Sequence, residues 1–349
     1  MDVQEMCAMV AEVSDRMWNQ GETGAVDKYF GTGFVANMPG TAAPLGTAGF
    51  VRLAEQRHEA LSGVRHRVLQ LFGQGDLVFL RSEVSGVHSG LLSGVPATGR
   101  HIELTEITMW RFEGGKVAEL WYQGDDFRVL DQLGLVPPEG GGLRRQLGHA
   151  AQVVGLFAGL GGRGGRPRPA PLRAAVDGAG GDGRPIPVAG GDALDLGARA
   201  LELARRVFDE RDLGALDECA TPDARYRVPG RPVLDNEGFK ALVRHLWRAQ
   251  PDLRVDVLNT VVEAPYVGVR ARFTATHLGE LFGNPPTGRP IDMVEMLVQT
   301  FDEQGRMVEL CQEADYLGLL GGIGVLPPPD AGPLRSVAHL LAGSVRRAR

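Results

Sequence analysis

The chain has 349 residues, 43% of them hydrophobic, and a formal net charge of −6 at pH 7. Such a length is expected to hold about two domains, each with enough apolar residues for a core of its own. The acidic balance argues against a nucleic-acid ligand, no apolar run reaches the roughly 20 residues that cross a bilayer, and three cysteines lack metal-ligand spacing, so a soluble cytoplasmic protein without a metal site is expected.

From the N-terminus, the spacing of Met9, Val13, Met17 and Trp18 predicts an amphipathic helix, broken by the turn at Gly21–Gly24. A short helix follows over Asp27–Phe30 and a longer one from about Gly49 to Leu61. Strand signals come next, at Val68–Phe72, Leu77–His88, His101–Phe112 and Val117–Gln123. Leu143 to Leu160 reads as a short apolar helix. Between residues 159 and 191, 11 of 33 positions are glycine and five are proline, which predicts a flexible linker. The linker's Gly159-x-Gly161-x-x-Gly164 matches a dinucleotide fingerprint formally, but no strand leads into it and no amphipathic helix follows. The same order then returns. Leu201, Ala204, Val207 and Phe208 mark a helix, followed by helices at Asp212–Cys219 and Gly238–Ala249, more strands, and a terminal helix at Leu334–Val345. The expected organisation is a domain at 1–158, a linker at 159–191 and a domain at 192–349. Helices followed by long strands make each an α+β domain, with a curved antiparallel sheet wrapped around N-terminal helices to leave a cone-shaped cavity.

The two halves also match residue by residue. His88-x-Gly90-x-x-x-Gly94-x-Pro96-x-Thr98-Gly99-Arg100 recurs 189 positions later as His277-x-Gly279-x-x-x-Gly283-x-Pro285-x-Thr287-Gly288-Arg289. Glu106 falls on Glu295 and Phe112 on Phe301. After one inserted residue near Glu303, Asp125 meets Asp315 and Gly134 meets Gly324. A period of this size means two copies of one domain, not a solenoid.

Thr98-Gly99-Arg100, a strand ending Arg111-Phe112-Glu113-Gly114-Gly115-Lys116-Val117-Ala118-Glu119-Leu120-Trp121, then Asp125 and Gln132-Leu133-Gly134, resemble the SnoaL-like polyketide cyclase family. That family belongs to the superfamily named after nuclear transport factor two. The likeness covers residues 8–138 and 198–328. Family spacing places an acidic residue four positions after the tryptophan and a Leu-Gly eight beyond it, as Asp125 and Leu133-Gly134 do. The second copy offers Asp315 and Ile323-Gly324, with Cys311 in place of the tryptophan. The resemblance implies a polyketide-tailoring cyclase that closes a ring in an aromatic polyketide by carboxylate acid/base catalysis, with no cofactor. It leaves open a cofactor-independent hydroxylase, dehydratase or epoxide hydrolase, or a non-catalytic metabolite-binding protein. Family members pair through their outer sheet faces, so the tandem implies an intramolecular pseudo-dimer, with a further homo-oligomer open.

The resemblance makes Asp125 and Asp315 the first candidates, as general acid/base groups. A regular strand would put Asp125 on one face with Glu119, Trp121 and Gln123, and Asp315 with Glu309, Cys311 and Glu313. The alternative is that each aspartate caps the helix or turn that follows. Glu106 and Glu295 come next. Glu106 shares its face with Leu104, Trp110 and Phe112, where a carboxylate needs either a function or a partner such as Arg81 or, in the second copy, Arg270. His88 and His277 end long strands and are either catalytic or satisfied structural groups. Trp110, Trp121, Phe34 and Met38 are candidate substrate contacts. Some cyclases of this family use a histidine on the strand before the Phe-x-x-Gly turn. Here that region reads Thr108-Met109-Trp110-Arg111 and Leu297-Val298-Gln299-Thr300. The first copy, with the tryptophan and the fuller pattern, is expected to carry more of the activity.

Overall fold

A computed structural model describes residues 1–41, 43–92, 94–136, 148–149 and 195–326. The expected linker at 159–191 and almost all of the two expected apolar helices, at 143–160 and 334–345, lie outside the described residues.

Helix α1 (Val3–Ser14) begins at a capping box between Asp2 and Glu5 and buries Met6, Val10 and Val13. It continues into a π-helical turn, Asp15–Asn19, that buries Met17 and Trp18. The chain then forms α2 (Val26–Tyr29), β1 (Phe30–Asn37), α3 (Thr47–Ala60), β2 (Leu61–Gln74), β3 (Leu77–His88), β4 (His101–Glu113), β5 (Lys116–Gly124) and α4 (Asp126–Gln132). The second copy repeats the order as α5 (Leu196–Phe208), α6 (Gly214–Cys219), β6 (Ala220–Arg227), α7 (Asn236–Ala249), β7 (Arg254–Glu263), β8 (Tyr266–Thr276), β9 (Pro290–Phe301), β10 (Met307–Ala314) and α8 (Tyr316–Gly322).

The strand orders are β1-β5-β4-β3-β2 and β6-β10-β9-β8-β7. Strands β1 and β6, absent from the sequence reading, pair parallel with β5 and β10, so the sheets are mixed and not purely antiparallel. In β1 the pattern is broken by Gly31 and Gly33, and the register shifts after Phe30, which hides its period. Each sheet turns one face to its own helices. The first core gathers Met17, Phe30, Phe34, Phe50, Leu80 and Trp110, and the second gathers Leu203, Val207, Tyr226, Phe239 and Phe273.

The repeated histidine-glycine motif is part of this architecture. His88 is fully buried, its Nδ1 lies 2.9 Å from Thr98 Oγ1, and its backbone pairs with Gly99 and Arg100. His277 repeats the arrangement with Thr287 at 3.0 Å. Burial holds both imidazoles below the ordinary histidine pKa. A Cβ on Gly90 would lie 2.1 Å from Glu59 O, and one on Gly279 2.5 Å from Arg248 O. These turns therefore cross the ends of α3 and α7 where no side chain fits. Gly90→Ala is expected to cost about 3 kcal/mol, near the top of the overpacking range. Urea denaturation checks this, and an unchanged midpoint would contradict the close approach.

The other faces of the two sheets meet. Phe72, Phe79, Ile107 and Met109 form one cluster with Val261, Met296 and Val298, and the Phe72 and Tyr266 rings are 5.3 Å apart. A Cβ on Gly268 would lie 2.7 Å from the Phe79 ring, so the sheets touch at backbone distance. Gly73 N–H donates to Glu263 at 2.7 Å, while Val262 N–H donates to Gln74 at 2.9 Å. Gly73 matches Val262 and Gln74 matches Glu263 across the repeat. The contact is thus reciprocal, as a two-fold axis requires.

Candidate functional site

A cavity in the first domain lies between the helices and the inner sheet face. Its lining includes Trp18, Met38, Phe50, Arg57, His66, Glu106, Thr108, Trp110 and Tyr122. Glu106 is almost fully buried at its centre. Arg57 Nη1 donates to Glu106 Oε2 at 3.3 Å, Ser82 Oγ donates to Oε1 at 3.2 Å, and His66 Nε2 lies 3.3 Å from Oε1. Burial by itself would raise the Glu106 pKa. The charge of Arg57, then His66 and Ser82, outweigh it and hold the group at about 2, as an anion. Arg57 also donates to the Tyr122 hydroxyl at 3.3 Å and stacks 4.8 Å over the Trp18 ring. Burial pushes the Tyr122 phenol well up, so it stays protonated.

Local structure fixes these groups. The π-helical turn sets Trp18 against the cavity and aims Asn19 at β2, where it accepts from His66 N–H at 2.7 Å and donates to His66 O at 3.0 Å. His66 Nε2 has the proximity of an ion pair with Glu106 but not the alignment of a hydrogen bond, and Ser14 Oγ, also on the lining, has no partner. Two buried polar atoms thus face this space unsatisfied. The space left for water centres is about 20 Å³, room for about one water molecule. A ring-sized ligand enters only when wall side chains move.

The structure separates the other candidates from this cavity. Asp125 caps α4, accepting from Arg128 N–H at 2.9 Å, and its second oxygen accepts from Gly230 N–H of the other domain at 3.4 Å. Asp315 caps α8 through Gly318 N–H at 2.6 Å. The reason is strand parity. Leu120 and Tyr122 of β5 line the cavity, whereas Trp121, on Asp125's face, packs with the interface cluster under the Arg270 guanidinium at 4.7 Å. On β10, Glu313 is buried and accepts from Thr105 of the first domain at 2.5 Å; burial, then the nearby Asp125 charge, raise its pKa well above the carboxylate range. Phe34 stacks within the core at 4.2 Å from Phe30 and is not on the lining. His88 and His277 hold their turns, as described above. Of the candidate positions, Glu106, Trp110 and Met38 line the cavity. Arg57, His66 and Tyr122 also line the cavity, and the sequence reading missed them. Among the described residues, no group of three or more His, Cys, Asp or Glu is placed to hold a metal ion, and no helix is long and apolar enough to cross a membrane.

The family profile described as SnoaL-like polyketide cyclase matches residues 8–133 and 198–322. The chain belongs to the SnoaL-like polyketide cyclase family. Solved structures match one unit each. AclR from Streptomyces galilaeus, described as a putative hydroxylase, is 25% identical over 39% of this chain and 100% of its own, with a TM-score of 0.36. A putative SnoaL-like polyketide cyclase from Jannaschia sp. CCS1 is 27% identical over 40% and 100%, with a TM-score of 0.35. IdmH from Streptomyces antibioticus, a putative polyketide cyclase, is 27% identical over 38% and 100%, with a TM-score of 0.34. No curated protein matches the chain.

The second SnoaL-like unit keeps the carboxylate and loses its partners. Glu295 stands where Glu106 stands, but Leu246, Val255 and Ala271 take the places of Arg57, His66 and Ser82. Its hydrogen-bond partner is the Gln312 amide, at the position of Tyr122. Burial pushes the Glu295 pKa up to about 8, with the Gln312 bond opposing, so the group is mostly neutral at pH 7. Gln299 replaces Trp110 and leaves its Oε1 buried without a partner. The two units therefore hold the same residue in opposite charge states.

Proposed function

We propose that the first unit is a polyketide-tailoring cyclase, closing a ring in an aromatic polyketide intermediate by acid/base catalysis without a cofactor. The observation that carries this reading is the joining, in one cavity, of the Arg57–Glu106–His66–Tyr122 cluster to a wall of Trp18, Phe50 and Trp110. Closure takes a proton from an acidic carbon, forms a carbon–carbon bond and protonates the resulting alkoxide. His66 is the base for the first step, and Glu106 stabilises the imidazolium that forms. Arg57 and Tyr122 face the carbonyl oxygen, where the phenol donates to the developing alkoxide. The aromatic wall holds the flexible chain in one folded shape, which supplies rate and regiochemistry together. Asp125 and Asp315 act in this reading as helix caps. The second unit, without Arg57, His66 and Tyr122 equivalents, contributes little turnover.

Mass spectrometry of a producing strain with and without the gene tests the reaction class. Product and accumulated precursor of equal mass, or differing by one water, support ring closure. A difference of one oxygen supports hydroxylation instead, and no difference supports a binding role.

A further inference from the structure

We infer that Ser14 is a further catalytic residue of the first cavity, whose hydroxyl donates to the enolate oxygen formed when His66 takes a proton from the acidic carbon. This rests on the cyclase reading of the same site. Ser14 closes α1, is 1% exposed, and stands on the cavity lining with its Oγ unpartnered. A buried serine in a helix can give its hydroxyl to the carbonyl one turn back, and a buried polar atom that makes no such bond needs a reason. The other two hydroxyls on the lining are engaged. Thr108 Oγ1 accepts from Trp110 Nε1 at 2.8 Å and donates to Leu80 O at 3.5 Å, while the Tyr122 hydroxyl accepts from Arg57 at 3.3 Å. Ser14 thus supplies the hydroxyl of this wall that a substrate oxygen can take.

A short hydrogen-bonded path fixes Ser14 relative to His66. Asp15, the next residue, accepts from Asn19 Nδ2 at 2.8 Å, and the Asn19 amide grips the His66 backbone at 2.7 and 3.0 Å. Ser14 Oγ and His66 Nε2, both unpartnered, border one cavity, so adjacent atoms of a single ligand can meet them. The repeat supports the link. Ala204, Asp209 and Val255 stand at the positions of Ser14, Asn19 and His66, and α5 runs on as α-helix to Phe208, the position of Trp18. The serine, its tether and the base are replaced together. In the reaction, the bond between the acidic carbon and its hydrogen breaks, and the proton goes to His66 Nε2. The electron pair left behind forms a carbon–carbon double bond as the adjacent carbonyl's π pair moves onto oxygen, which takes the Ser14 hydrogen bond. That enolate carbon then attacks the second carbonyl, the one Arg57 and Tyr122 face, and the first carbonyl reforms. The substrate therefore carries a ketone beside its acidic carbon. A donor in place before the charge develops lowers the barrier to forming it.

The test complements a strain lacking the gene with the full-length chain and its variants. If wild type restores the missing product, Ser14→Ala is expected to lower that product ~100-fold, with Ser14→Thr, which keeps the hydroxyl, recovering part of it. Product from Ser14→Ala within a few-fold of wild type would overturn the inference and leave the cyclase reading standing. If deletion changes no metabolite, the cyclase reading fails and this role with it. Urea denaturation of the purified chains separates chemistry from folding. Ser14→Ala should keep or raise the midpoint, because it removes a buried hydroxyl that has no partner. A loss of product that tracks a lowered midpoint would make Ser14 structural and equally overturn the inference.

Discussion

Glu106→Gln is expected to destabilise the chain by about 3 kcal/mol at pH 7 and to lower turnover by roughly 10²–10⁴-fold. The stability loss follows from the buried Arg57 guanidinium, which keeps its charge after its anionic partner has gone. The shift of Glu106 from its ordinary 4.5 to about 2 gives the same size, at about 1.4 kcal/mol per unit. Because the folded pKa is depressed, this contribution is fully present above pH 4.5 and is lost as pH falls through 2. Wild type and variant should therefore differ most at neutral pH and converge in acid. Urea denaturation at pH 7 and pH 3 measures the gap, and equal midpoints at pH 7 would refute the ion-paired state.

The same substitution in the second copy should act with the opposite sign. Glu295 has a folded pKa of about 8 against an ordinary 4.5, so the unfolded chain gains from ionisation that the folded chain resists. Its cost to the native state is absent below pH 4.5, grows as pH rises, and levels off above 8. Glu295→Gln is expected to stabilise the protein by about 3 kcal/mol at pH 7 and to be near neutral at pH 4. Paired melts at the two pH values check the sign. A less stable variant at pH 7 would mean that Glu295 is ionised and paired. A carboxyl that costs stability in an apolar cone, while its matched residue is clamped by charge, marks two environments that have diverged since duplication.

The duplication and the α+β fold are legible in the sequence because turn glycines and core spacings recur at a fixed offset. The site is far less legible, for a physical reason. Residues kept in both copies are those that the shared architecture needs: His88 with Thr98, Gly90 against Glu59, and Arg100, which donates to Gln132 O at 2.8 Å. Selecting repeated polar residues therefore selects the scaffold. The polar partners of Glu106 lie instead where the copies differ, at Arg57 against Leu246, His66 against Val255 and Ser82 against Ala271. Inward positions that are polar in one copy and apolar in the other were the available signal. The aspartates illustrate a second difficulty. Alternation correctly groups Asp125 with Trp121, but periodicity does not say which face of β5 meets the cone and which meets the other domain. Glu106 is the position where repetition and chemistry coincide, since both cones hold a carboxyl there while only the first keeps its partners.

The most direct test of the account is product formation in a strain lacking the gene, complemented separately with Glu106→Gln and Glu295→Gln and followed by mass spectrometry. The account predicts that Glu106→Gln loses the product while Glu295→Gln retains it, both chains being present at comparable levels. Product lost with Glu295→Gln and kept with Glu106→Gln would place the chemistry in the second cone and contradict it.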